Sequence, residues 1–327
     1  MAKILVTGGS GFIGSNLVAE LLKDPKNEVI VFDSIPYTQA KNLAEFSNGP
    51  NFRFVSGDIT NKKILKKVFS ENLDYVYHLA AVVGIKHYLY SPLKLIDVNV
   101  IGTKNVLELS LKSNTKVVFS STSEIYGKNP KIPWKETDDR VLGSTSIDRW
   151  NYSTSKALGE HMLYAMHRTM GLPMTIVRYF NVYGPKQQPH FVVSQSIYKV
   201  INGERPLLYD TGQQTRCFTF VEDAVQGTIL AATKTNGEVF NIGSNKETSI
   251  RELITQIIKI AGKEDDISPE IFDTKKNYGS LYEDIHKRVP DVKKAKKLLG
   301  WEATTSLEVG LRKTIEWAKV NYVREKK

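Results

Sequence analysis

Residues 3–22, KILVTGGSGFIGSNLVAELL, run from a short apolar stretch into a glycine cluster and then an amphipathic segment. Few architectures tolerate that order. Gly9, Gly11 and Gly14 satisfy G-x-G-x-x-G, and Gly8, Gly11 and Gly14 satisfy G-x-x-G-x-x-G. The early glycines allow a tight turn and close backbone approach to a pyrophosphate, and Gly14 lets helix and strand pack together. The helix that follows offers unpaired N–H groups and a positive dipole end to phosphate. Alone the glycines are weak evidence, but here they sit between strand and helix, and Asp33 closes the next apolar run, VIVFDS. A carboxylate there accepts adenosine ribose hydroxyls and repels a 2′-phosphate, and no arginine follows it closely. The motif therefore points to NAD rather than NADP. Asp58, in SGDIT after the third apolar run, flanks the adenine or forms a simple turn.

The alternation continues. Strands are expected at Lys3–Val6, Glu28–Phe32, Phe52–Ser56, Tyr75–Leu79, Val117–Ser120 and Met174–Tyr179. Helical patterns occupy Ile13–Leu22, Lys62–Ser70, Pro92–Ser113 and Tyr152–Met170. Such β-α repetition predicts an α/β fold, a Rossmann-type doubly wound parallel sheet. After about Gly184, prolines and glycines break the chain into shorter pieces, with helices again at Ser249–Ala261 and Leu307–Val320. We expect a dinucleotide domain over residues 1–180 and a smaller C-terminal α/β lobe over 181–327 that binds substrate. A helix at Val221–Thr233 suggests that 221–242 returns to the first domain.

The formal charge of +10 raises nucleic acid as a partner. The lysines at Lys62, Lys63, Lys66 and Lys67 and at Lys293–Lys297 alternate with apolar residues at helical spacing, and Arg324–Lys327 is terminal. Solvated helix faces account for them, so neither nucleic acid nor a membrane is an expected partner. No apolar run approaches the ~20 residues that span a bilayer. The start does not read as a signal peptide. Together with the lone Cys217 this suits the cytoplasm. The six histidines show no metal-ligand spacing, and no metal is expected.

Two features carry chemistry. Tyr152 and Lys156 lie four residues apart, on one helix face. An ammonium beside a phenol favours the phenolate, making Tyr152 a proton acceptor for a sugar hydroxyl. SSTSEIYG, 120–127, places hydroxyls and then Glu124 at the end of a strand.

These residues, with HLAA at 78–81, RYFNVYGP at 178–185, FTFVEDAV at 218–225, FNIGS at 240–244 and KRVPDVKKAKKLLGW at 287–301, resemble the extended short-chain dehydrogenase/reductase family. Its members act on nucleotide-diphosphate sugars as epimerases, dehydratases and decarboxylases. The resemblance implies NAD as cofactor, held by Gly8, Gly11, Phe12, Ile13 and Gly14, by Asp33, Asp58 and Ile59, and by Ala80, Asn99, Tyr152 and Lys156. It further implies that Thr122 meets the sugar O4 beside Tyr152, that Asn181 and Arg216 contact the nucleotide diphosphate, and that Arg288 binds substrate. His78 is expected to be structural. Where related chains commonly have Asp, this one has Cys217. Related enzymes pair helices matching Pro92–Ser113 and Tyr152–Met170 across a dimer, so a homodimer is expected.

The reaction turns on residues 122–124. A 4,6-dehydratase carries a motif resembling Thr-Asp-Glu, and Ser123 here has no carboxyl to protonate a departing hydroxyl. Thr122-Ser123-Glu124 resembles the motif of UDP-glucuronate decarboxylases, and KRVPD at 287–291 resembles their Arg-x-Pro segment. The leading expectation is decarboxylation of a UDP-hexuronate, UDP-glucuronate or its N-acetylamino analogue, with Ser123 and Glu124 joining Thr122, Tyr152 and Lys156 as catalytic residues. Glu124 would hold a water or repel the substrate carboxylate. A UDP-sugar 4-epimerase is the alternative. Uronate epimerases tend to carry an arginine after Gly-Pro, where this chain has Lys186-Gln187-Gln188. A non-catalytic NAD-binding regulator is disfavoured because Thr122, Tyr152 and Lys156 are all kept.

Overall fold

The computed structural model describes residues 2–47, 49–278 and 285–322; the basic run Arg324–Lys327 lies outside them. The first half contains β1 (Lys3–Thr7), α1 (Phe12–Leu21), β2 (Glu28–Asp33), β3 (Phe52–Ser56), α2 (Lys62–Phe69) and β4 (Tyr75–His78). It continues with α3 (Ile85–Tyr90), α4 (Pro92–Ile96), α5 (Thr103–Lys112), β5 (Lys116–Thr122), α6 (Arg149–Met170) and β6 (Met174–Tyr179). The second half adds β7 (Val182–Tyr183), α7 (Val192–Ile201), β8 (Leu207–Tyr209), β9 (Thr215–Cys217), β10 (Thr219–Phe220), α8 (Val221–Lys234) and β11 (Glu238–Ile242). It ends with β12 (Glu247–Ser249), α9 (Ile250–Ile260), β13 (Glu270–Phe272), α10 (Thr274–Tyr278), β14 (Lys287–Arg288), α11 (Lys293–Leu299) and α12 (Leu307–Asn321).

One seven-stranded sheet, ordered β11-β6-β5-β4-β1-β2-β3, organises the protein. Every pairing in it is parallel. Its central strands read as apolar runs, Val29–Phe32 and Val117–Phe119, because helices cover both faces and these side chains are buried. The strand order reverses between β1 and β4. There the carboxyl ends of the strands open a crevice, the usual place for a ligand in such a sheet. Residues 221–242 rejoin the sheet, with β11 pairing along β6.

Most ends fall within one residue of the expected positions, and the two that depart by two or three, in β5 and α6, both serve the crevice. β5 runs two residues past the expected Ser120, carrying Thr122 to the carboxyl end of the sheet. α6 starts at Arg149 rather than Tyr152, because Trp150 packs with Ile125, Tyr126 and Trp134 and draws the chain into the helix early. The helical stretch from Pro92 is also not uniform: Asp97–Gly102 forms a wider π turn between α4 and α5. Such a turn shifts the side chains after it and is common beside functional sites.

The second lobe is built from small sheets, β12-β9-β14 and β13-β8, packed with α7, α9 and α12. In the first of these, Arg288 stands opposite Arg216 on the neighbouring parallel strand. Among the described residues, no helix is long and apolar enough to cross a membrane.

Candidate active site

The strand ends open into a cavity of about 860 Å³. Its dinucleotide end follows from the glycines. Gly8 has φ +71°, and a Cβ there would lie 2.6 Å from the Ala80 nitrogen. A Cβ on Gly14 would lie 2.3 Å from the Gly8 oxygen. Backbone therefore forms the cavity floor, and Gly8, Gly11, Phe12, Ile13 and Gly14 all line it. No side chain caps the start of α1, and its first turn has no acidic residue, so its N-terminal dipole is left unopposed for an anionic ligand. Asp33 lines the cavity from the end of β2 and accepts from the Ser10 amide at 3.1 Å and from the Ser10 hydroxyl. Asp58 and Ile59 line the next stretch of wall, and Asp58 also closes a turn by accepting from the Thr60 amide at 2.8 Å. This donor set fits NAD. Asn99 differs: it is buried behind the wall, bonded to both the amide and the carbonyl of Val82 and to Ser155. It shapes the loop after β4, which follows the lining residue Ala80, from the π turn.

At the other end, Thr122, Ser123, Glu124, Tyr152 and Lys156 meet along the same cavity. Thr122 caps the turn after β5, accepting the Glu124 amide at 3.2 Å, and it also hydrogen-bonds the Tyr152 phenol. Lys156 donates to the Ser120 carbonyl at 2.7 Å, and burial lowers its pKa to about 7. The sequence pattern predicted that Lys156 would lower the Tyr152 pKa. The structure shows the reverse: burial, followed by the Glu124 charge, pushes the phenol up, and the Thr122 hydrogen bond only partly offsets them. Tyr88 stacks on Tyr152 with centroids 5.5 Å apart, deepening that burial.

Glu124 is the electrostatic centre. Burial favours its neutral form, but the guanidiniums of Arg149 and Arg288 outweigh it and hold the carboxyl at about 2. Arg149 Nη2 lies 3.2 and 3.0 Å from the two carboxylate oxygens, and Arg288 Nη1 lies 2.5 Å from Oε1. Arg288 and Asn181 line the cavity. Asn181 Oδ1 is buried with no protein partner, which suits a donor on a ligand. Arg216 is not on the wall; it donates to the Thr215 and His286 carbonyls one strand behind Arg288.

Sequence reasoning missed Arg149, Tyr88 and a buried pair under the site. Glu160, one turn past Lys156, accepts from Ser121 Oγ at 2.5 Å and from Arg178 at 2.9 and 2.6 Å. The i+4 spacing from Lys156 was a usable signal for Glu160. Nothing local marked Arg149, because its partner lies 25 residues away. His78 is structural, as expected: buried, it bridges Thr7 and Thr103, and burial lowers its pKa to about 3. Cys217 is buried, and desolvation raises its thiol to about 12, so it is no nucleophile at neutral pH.

The model of a family described as GDP-mannose 4,6 dehydratase matches residues 5–314. The UDP-N-acetyl-α-D-glucosaminuronate decarboxylase of Bacillus cytotoxicus is 40% identical over 319 residues, 96% of this chain and 97% of the relative. The UDP-glucuronate 4-epimerase of Thermodesulfobacterium geofontis is 34% identical, over 98% of this chain and 97% of the relative. The solved UDP-glucuronic acid 4-epimerase of Bacillus cereus, in complex with UDP-glucuronic acid and NAD, superposes with a TM-score of 0.87 at 32% identity, covering 98% of this chain and 100% of that one. With the sheet order, the glycine floor and the Thr-Tyr-Lys grouping already in place, the match over nearly the whole length decides the matter: the chain belongs to the GDP-mannose 4,6-dehydratase family, extended short-chain dehydrogenase/reductases that act on nucleotide sugars with NAD.

Proposed function

We propose that this NAD-dependent UDP-sugar enzyme is a decarboxylase of a UDP-hexuronate, with UDP-N-acetylglucosaminuronate the favoured substrate. One observation carries the reading: an ionised glutamate, Glu124, sits on the sugar end of the cavity between two arginines, beside Thr122 and Tyr152. The acetamido substrate is favoured because the Bacillus cytotoxicus decarboxylase is 40% identical, against 32–34% for UDP-glucuronic acid decarboxylases of plants and vertebrates.

In this reading Gly8–Gly14, Asp33 and Lys156 hold NAD, which when bound supplies reversible acceptance of the C4 hydride. Burial raises the Tyr152 phenol in the protein alone, so the positive charges of Lys156 and of bound NAD must favour its phenolate. Tyr152 then takes the C4 hydroxyl proton, while Thr122 orients that oxygen. A 4-keto uronate is a β-keto acid. On loss of CO2 its charge moves from C6 to the C4 oxygen, where the Thr122 and Tyr152 hydroxyls are placed to receive it. The fixed negative charge of Glu124 opposes the substrate carboxylate, and that repulsion is relieved as CO2 departs. Asn181 and Arg288 grip the substrate from the smaller lobe, residues 181–327 apart from the returning stretch 221–242.

A 4-epimerase is the second reading, favoured by the Bacillus cereus structural match. Against it, Lys186 is turned to the Asn42 carbonyl and Glu45 rather than into the cavity, and Gln187 lines the wall in place of a cation. Proton NMR of the purified protein with NAD and each UDP-uronate separates the two. A pentose product with CO2 supports decarboxylation; six-carbon C4 epimers alone refute it.

The protein is further proposed to form a homodimer through α4–α5 and α6. Leu93 is 75% exposed, and Ile101 and Leu158 are also exposed on these helices. Light scattering at micromolar concentration tests this, and a monomer refutes it.

A further inference from the structure

We infer that Arg149 is a positioning residue, the fixed counter-ion of Glu124, which leaves Arg288 available to the carboxylate of the substrate. The inference rests on the decarboxylase reading and adds to it a residue that the sequence pattern did not reveal.

Three arginines act on Glu124, and they differ in place. Arg288 lines the cavity from the short strand β14 and also bonds Glu124 Oε1 at 2.5 Å from that side. Arg216 stands one strand behind, its Nη1 bonded to the carbonyls of Thr215 and His286. Arg149 is 4% exposed and approaches from the protein side, with Nη2 within 3.2 Å of both oxygens of Glu124. It is the first residue of α6, three positions before Tyr152. The same helix also grips the backbone of residue 124, through Ser153 Oγ at 2.8 Å from the Glu124 carbonyl. Arg149 is thus carried by the same helix as Tyr152 and Lys156, whereas Arg288 is borne by a two-residue strand of the other lobe.

The consequence follows from charge. A uronate carboxylate arriving beside Glu124 brings a second negative charge to a poorly solvated wall. Arg288, facing the cavity, is the cation it meets. Burial already favours protonation of Glu124, so a glutamate left without its counter-ion would take up a proton and lose its repulsion toward the substrate. With Arg149 behind it, Glu124 stays a carboxylate when Arg288 gives up its own bond to Glu124 and turns to the substrate. The C5–C6 bond then breaks, its electron pair moves into the C4–C5 bond, the C4 oxygen takes the charge and CO2 leaves. Among the described residues, the titratable and charged groups found to act on or with Glu124 are Arg149 and Tyr152 from α6, Arg288 from β14, Arg216 from β9 and Tyr88 from α3. All but the two phenols are cations.

The test uses protein labelled with carboxyl-¹³C glutamate. The Glu124 resonance is identified by its loss in Glu124→Gln, then titrated in wild type, Arg149→Gln and Arg149→Lys. CO2 release from UDP-N-acetylglucosaminuronate is followed across pH in the same proteins. We expect no titration of Glu124 above about pH 4 in wild type or Arg149→Lys. In Arg149→Gln it titrates at least about one unit higher, and the acid limb of kcat moves with it, costing about tenfold on the acid side. Arg149→Lys, which keeps the charge, restores most of kcat and separates a lost counter-ion from a disrupted helix. An unchanged Glu124 titration in Arg149→Gln overturns the inference, as does a pH-independent loss of kcat shared equally by Arg149→Lys. Should wild type release no CO2 from any UDP-uronate, the decarboxylase reading falls, and the titration by itself still decides whether Arg149 is the counter-ion.

Discussion

Arg288 Nη1 lies 2.5 Å from Glu124 Oε1, although 164 residues separate them along the chain. One belongs to the turn after the central strand β5 and the other to a short strand of the second lobe. The cavity between the lobes is thus lined at its sugar end by a charge pair that neither lobe makes alone. Glu124→Gln keeps the shape and removes the charge. We expect CO2 release to fall by about 10²–10³-fold while UDP-sugar binding, read by calorimetry, changes little. A variant retaining most of its turnover would remove Glu124 from the mechanism.

Tyr152→Phe removes one oxygen from a buried ring that stacks on Tyr88. Turnover should drop by roughly 10²–10⁴-fold, the usual weight of a positioned acid–base group. The rise in melting temperature on adding NAD should persist, because the glycine floor is untouched. Loss of both would mean that the ring is needed for folding rather than for proton transfer.

Gly14→Ala tests the floor itself. The new Cβ would lie 2.3 Å from the Gly8 oxygen and 2.8 Å from the Gly9 Cα, both backbone atoms that cannot step aside cheaply. We expect NAD to lose its stabilising effect in a thermal shift assay. An unaltered shift would show that the turn between β1 and α1 relaxes without harm.

Lys156 gives a pH signature. Its folded pKa, about 7, lies below the ordinary lysine value of 10.5 because burial penalises the ammonium. Between these values the unfolded chain binds more protons, so stability should rise with pH across that window and level off above it. Melting temperatures of wild type should show that rise, and Lys156→Met should flatten it. A wild-type curve falling between pH 7 and 10.5 would contradict the buried, partly neutral lysine.

Arg178→Ala would leave Glu160 buried and without its bidentate partner. The expected loss is about 3–5 kcal/mol, read as a lower urea midpoint. Because Ser121, beside Thr122, also bonds Glu160, turnover of the folded fraction should fall as well. A loss below about 1 kcal/mol would mean that water replaces the guanidinium.

Much was legible in the sequence because local chemistry wrote it. The turn between β1 and α1 shows in its glycine spacing because Gly14 packs on Gly8 and Gly9 within seven residues, although Gly8 itself is also required by the Ala80 backbone far along the chain. The Tyr152–Lys156 spacing is a property of any helix, and the apolar runs of the sheet report burial on both faces. Three things were settled only in the tertiary structure. Helix α6 began three residues early because Trp150 found Ile125, Tyr126 and Trp134 across the site. The Tyr152 phenol was pushed up rather than down, since Lys156 turned to the Ser120 carbonyl and burial acted on both groups. The charge of Glu124, finally, is fixed by arginines 25 and 164 residues away. Sequence spacing records which groups can share a helix face or a turn. Desolvation and long-range ion pairing depend on what the fold brings to the other side, and that is where the chemistry of this cavity was decided.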